Sequence, residues 1–99
     1  MIYTFILIDR PGAAELRQRV RPEHKSYLAA VAERIAFAGP LVADDGQTMI
    51  GSLLAIDFDS RAAADAWLAD EPFTRAGVYA SRTVQAFVNL WPQRAGFPA

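Results

Sequence analysis

The sequence has no cysteine, which excludes disulfides and thiolate chemistry. It has one histidine, His24, so any imidazole chemistry is confined to a single position. Long apolar runs are missing as well. Stretches such as TFILI (4–8) and SLLAI (52–56) are about five residues, against the roughly 20 that a membrane-spanning helix needs, so no membrane partner is expected. Nor is there an excess of one charge. Ten Lys+Arg against eleven Asp+Glu leave a net charge of -1, without the basic footprint of a nucleic-acid binder. The arginines at 17, 19 and 21 cluster, but Glu15 and Glu23 flank them, and the stretch reads as a solvated helical face. The N-terminus, MIYTFILIDR, carries neither the basic leader nor the small-residue cleavage site of a secretory signal. A strand that starts so close to Met1 leads to the expectation that the mature chain begins there, in the cytoplasm. A glycine-rich phosphate loop, a P-loop and a nicotinamide fingerprint are all absent, so no cofactor is expected. One histidine without cysteine leaves only carboxylates to complete a metal site, and none is expected either.

What is present describes one folded domain over residues 1–99, with a core over about 2–91, a loose tail over 92–99, and no repeat or linker. IYTFILI (2–8) is a β-branched and aromatic strand, ended by the turn chemistry of DRPG. Residues 13–19 suggest a short helical turn. Pro22 suits the first position of a helix, where its missing N–H has no partner to lose. From there His24, Leu28, Val31 and Ile35 share one face of a helix that runs to about Phe37, with Gly39 as its C-cap. PLVAD (40–44) reads as a short strand, Asp45-Gly46 as a hairpin turn and residues 48–58 as a longer strand. Ser60 can cap a second helix whose buried side includes Ala63, Trp67 and Leu68. Residues 71–77 form a loop or broken helical turn, and 78–91 a last strand; Phe97 can tie the tail down.

The order is β-α-β-β-α-β, an α+β fold of ferredoxin-like type: an antiparallel sheet with two helices on one face. The strands, however, are apolar on both faces. Ile2, Thr4, Ile6 and Ile8 alternate with Tyr3, Phe5 and Leu7. An uncovered apolar sheet face is a patch that monomers avoid, so a homodimer paired sheet against sheet is expected. Scattered exposed aromatics (Tyr3, Phe5, Trp91) under a folded-back tail are the alternative.

His24 then stands at the end of the apolar stripe, where core meets solvent and a cleft can open. A helix N-terminus disfavours the imidazolium, and a neighbouring carboxylate favours it and fixes the tautomer. Together they describe a general acid–base group. The competing reading is a histidine that satisfies a loop carbonyl and packs. Arg21 can hold an anionic substrate group by a bidentate contact, or can be an exposed charge at a helix start.

The chain resembles the YciI-like (YCII-related) domain family on an ordered set of motifs: YTFILIDRPG, RPEHKSYL, AGPL, Gly51-Ser52 and DEPFTRAGVY. The resemblance covers roughly residues 2–91 and implies a ferredoxin-like fold that pairs into a dimeric α/β barrel. It also implies an acid–base pair in a cleft, with the histidine at His24. The family's aspartate has two counterparts here, Asp70 and Glu71. Asp70 is slightly preferred because a shorter side chain is easier to hold rigidly, and Glu71 can reach by its extra methylene. A second departure is Ala86, where relatives tend to carry proline. Ser52, Asp9 and Arg10 match positions near the family's cleft, Ser52 as a positioning or substrate-binding group.

The function implied is a small cofactor-free enzyme using a His/Asp acid–base pair on a small organic substrate. The resemblance implies neighbours that isomerise muconolactones or eliminate chloride from hydroxylated aromatics, so an isomerase or lyase (dehydrochlorinase) outcome is expected. The alternative is a non-catalytic homodimer that binds a small ligand or regulates. A structural homodimer with a vestigial cleft is the third reading.

Overall fold

The computed structural model describes residues 1–91. Strand β1 (Ile2–Asp9) leads into helix α1 (Ala14–Ala29), and a single helical turn at Ala32–Arg34 connects this to strand β2 (Ile35–Val42). Strand β3 (Met49–Asp57), helix α2 (Arg61–Ala69), the five-residue helix α3 (Pro72–Ala76) and strand β4 (Tyr79–Phe87) follow. The sheet order is β2-β3-β1-β4, and every neighbouring pair is antiparallel. This is the ferredoxin-like α+β arrangement. No helix among the described residues is long and apolar enough to cross a membrane.

Alternation along the strands sorts the side chains. Tyr3, Phe5 and Leu7 of β1 and Leu54 and Ile56 of β3 are buried, with Ala64 and Leu68 of α2 and Phe73 of α3 in the same core. Full burial of each large apolar side chain stabilises by about 1.5–3 kcal/mol. Tyr3 and Phe5 are therefore core residues, not exposed aromatics. The opposite face carries Ile6 and Ile8, 43% and 39% exposed, and Phe87, which pairs with Ile2.

Two turns match their sequence signals. Asp45 Oδ1 accepts from the amides of Gln47 and Thr48, and Gly46 takes a φ of 73°, closing the β2–β3 hairpin. Ser60 Oγ accepts from Ala63 N at 3.0 Å and caps α2.

The first helix departs from expectation. It starts at Ala14 and takes the 13–19 turn into one continuous element, so Pro22 lies inside it and not at its first position. Pro22 is on the exposed side, where a carbonyl that loses its N–H partner can be hydrated instead. The helix also ends at Ala29, so Val31 and Ile35 are not on it. Residues expected in its last turns lie in β2, where Ile35 pairs with Ile56 and Gly39 with Leu53. Pairing with β3 overrides the local helical spacing, and Pro40 is tolerated because β2 is an edge strand. β4 stops at Phe87, and Val88, Leu90 and Trp91 are exposed beyond it. The loose tail and the tie at Phe97 lie outside the described residues.

Candidate active site

Because α1 runs through Pro22, the stripe that includes His24 extends backwards. Arg17, Arg21, His24 and Leu28 follow at spacings of four, three and four, on one face of the helix. That face, neighbouring residues of β2 and β3, and Phe73 line an open cleft of about 310 Å³.

His24 lines this cleft with its side chain 12% exposed. Its Nδ1 meets Glu71 Oε1, and its ring stacks on Phe73 with centroids 4.0 Å apart and planes 13° from parallel. Glu71 is wholly buried, and its other oxygen, Oε2, accepts from Thr74 N at 3.2 Å. One carboxylate thus caps α3 and grips the imidazole. As an acceptor it fixes the proton on Nδ1, which leaves Nε2 with its lone pair. Nothing among the described residues bonds to Nε2.

The carboxylate in contact is Glu71. Asp70 ends α2 and is exposed to solvent. Side-chain length was the wrong criterion for rigidity here, because capping a helix holds the longer residue still.

Behind the cleft lies a second polar group. Arg17 is 4% exposed, so it does not belong to a solvated face. Its Nη1 donates to Asp9 Oδ1 at 3.2 Å, and its Nη2 donates to the Gly51 carbonyl at 2.8 Å and to Ser52 Oγ at 2.9 Å. The guanidinium also sits over the Phe73 ring, 4.6 Å from its centroid. Gly51 is obligatory in this arrangement, since a Cβ there would stand 2.4 Å from the Leu7 carbonyl oxygen. Ser52 Oγ lies 3.0 Å from the hydroxyl of Tyr79. Burial pushes the Asp9 carboxyl above its ordinary range, against the opposing pull of Arg17. Burial likewise pushes the Tyr79 phenol far up, so it stays protonated.

Of the site residues expected from sequence, His24, Glu71, Ser52 and Arg21 meet at or beside the cleft. Asp9 reaches it only through Arg17. Arg10 is exposed, and its backbone N–H bonds to the Val78 carbonyl. Sequence reasoning missed Arg17, Phe73 and Tyr79. Continuing the His24–Leu28 stripe through Pro22 is the signal that would have found Arg17. For a metal, His24 and Glu71 supply two ligands, and no group of three or more His, Cys, Asp or Glu forms among the described residues.

A family model described as the YCII-related domain matches residues 1–88. The chain belongs to the YCII-related domain family. Protein YciI of Escherichia coli is 33% identical over 98 residues, covering 92% of this chain and 100% of its own length. A Haemophilus influenzae relative is 33% identical with the same coverage. Among solved structures, the fold is similar to the 5-chloro-2-hydroxyhydroquinone dehydrochlorinase TftG from Burkholderia phenoliruptrix, solved in complex with 2,5-dihydroxybenzoquinone. The TM-score is 0.83 at 27% identity, over 89% of this chain and 94% of that one.

Proposed function

We propose that this YCII-related protein is a cofactor-free enzyme that moves protons on a small organic molecule, with His24 as the general base and Glu71 holding it. The observation that carries this reading is an imidazole that lines the cleft, gripped at Nδ1 by a buried carboxylate, with no bond to Nε2 among the described residues. In the reaction proposed, Nε2 takes a proton from a carbon next to a carbonyl, or from a hydroxyl of a hydroxylated ring in its keto tautomer, where the carbon bearing the leaving group is saturated. The electron pair left behind either shifts a double bond or expels a leaving group such as chloride. In an isomerisation the imidazolium returns the proton at a new carbon, and in an elimination it yields it to water. The dehydrochlorinase activity of the structural neighbour supports the elimination branch. A positioned acid–base group accelerates such a step by about 10²–10⁴-fold.

The test is chloride release from 5-chloro-2-hydroxyhydroquinone, with deuterium wash-in from heavy water to catch isomerisation of other carbon acids. His24→Ala is expected to lose at least about 10²-fold while keeping its circular dichroism. Undiminished turnover in that variant would remove the proposal.

The working unit proposed is a homodimer joined through the open sheet face. Ile6, Ile8 and Phe87 form an apolar surface that a second copy, carrying the same surface, complements by two-fold symmetry. Sedimentation equilibrium should give twice the 10.9 kDa chain mass, and Ile6→Lys should give one chain. A wild-type protein that sediments as one chain contradicts the pairing.

A further inference from the structure

We infer that Ser52 touches the substrate, donating its hydroxyl proton to a negatively charged oxygen held in the cleft. The inference rests on the acid–base reading and names the substrate class for it: a small organic acid ionised on oxygen, as a phenolate, enolate or carboxylate.

The argument is a count of protons. A serine hydroxyl has one proton to give and two sites at which to accept. A guanidinium can only donate, so Arg17 Nη2, 2.9 Å away, fills one accepting site. The Tyr79 hydroxyl, 3.0 Å away, can either donate to Ser52 or accept from it. If it accepted, its own proton would have no partner among the described residues, and Tyr79, unlike Ser52, does not line the cleft where a ligand could supply one. Buried donors are rarely left so. Tyr79 therefore donates, and its raised pKa keeps the proton available. Both accepting sites of Ser52 are then occupied. Its own proton is the one left over, and Ser52, 1% exposed, is among the residues that line the cleft. Two donors on the same oxygen polarise it and strengthen what it gives.

The surroundings specify the charge of the acceptor. The charged side chains lining the cleft are Arg17, Arg21 and Lys25, with no carboxylate lining it among the described residues. Asp9 balances Arg17, and Glu71 behind His24 offsets one more charge, which leaves one net positive charge from Arg21 and Lys25. Leu28, Leu54 and Phe73 supply apolar wall for the carbon skeleton.

The probe is 4-nitrophenol, whose absorbance separates phenol from phenolate, titrated into the wild type, Ser52→Ala, Tyr79→Phe and His24→Ala. The wild type is expected to bind the phenolate, and Ser52→Ala to weaken it about ten-fold or more, as for a lost bond to a charged group. Tyr79→Phe is the sharper arm, and it decides the matter even if Ser52→Ala fails to fold. Losing the donor that aims Ser52 should weaken the phenolate several-fold. If Ser52 instead donated to Tyr79, the same substitution would free the serine proton and tighten binding. Tighter or unchanged binding in Tyr79→Phe overturns the inference, and so does a wild type that binds no phenolate. His24→Ala keeps the two readings apart. An inactive His24→Ala beside unaffected Ser52 and Tyr79 variants sinks this inference alone. An active His24→Ala beside weakened phenolate binding sinks the acid–base proposal alone.

Discussion

Replacing Arg17 by methionine keeps the bulk of the side chain and removes its charge and its donors. In the native protein the guanidinium is 4% exposed and its partner Asp9 8%. Removing one member of a buried ion pair strands the other, at a cost of about 3–5 kcal/mol. A domain of this size is stable by about 5–15 kcal/mol, so Arg17→Met should fold with much of its margin gone. In urea, with a slope of about 1–3 kcal/mol per molar, the midpoint should fall by about 2 M. The loss should also depend on pH. The Asp9 carboxyl already ionises above its ordinary 3.8 because of burial. The folded chain therefore holds that proton where the unfolded chain has released it, and stability declines as pH rises through the interval between the two values. Without Arg17 the folded value rises further, and the decline continues to higher pH. The deficit of Arg17→Met should thus be largest near neutrality and shrink towards pH 4. Adding Asp9→Asn should recover much of it, because no stranded charge remains. A loss below about 1 kcal/mol, flat with pH, is the behaviour of a surface arginine and would refute the reasoning.

Two more outcomes are expected. Glu71→Gln keeps an oxygen for Thr74 but can present its amide to His24, moving the ring proton to Nε2; kcat should fall by about 10²–10⁴-fold, while Asp70→Asn leaves it unchanged. Equal losses in both variants contradict the assignment of Glu71. Asp45, held down to about 2 by its bonds to Thr48 and Gln47, contributes stability that is present above its ordinary 3.8 and lost as pH falls towards 2. Asp45→Asn should flatten that acid limb in a pH series of urea midpoints.

Much of the fold is legible in local signals. Alternation in β1, Asp45-Gly46 at the hairpin and Ser60 before α2 each carry a physical reason that acts within a few residues. The extent of α1 is not local. Pro22 is a strong start signal, and only packing of the helix on the sheet shows that the start lies eight residues earlier. The same error hid Arg17. An arginine flanked by glutamates looks solvated until Asp9, Gly51 and Ser52 converge on it from two strands. His24 was legible as the candidate base because the sequence holds no other histidine. Its partner was not, because choosing between adjacent carboxylates depends on which one the following helix turns inward.

Glu71 starts a five-residue helix with one oxygen and aims the imidazole with the other. On the proposed mechanism, unwinding that short turn and disarming the base are a single event. The amide of Thr74 becomes its natural gauge: hydrogen exchange at that one position reports the fraction of molecules armed at any moment. Gradual warming should silence the chemistry while the four strands are still intact.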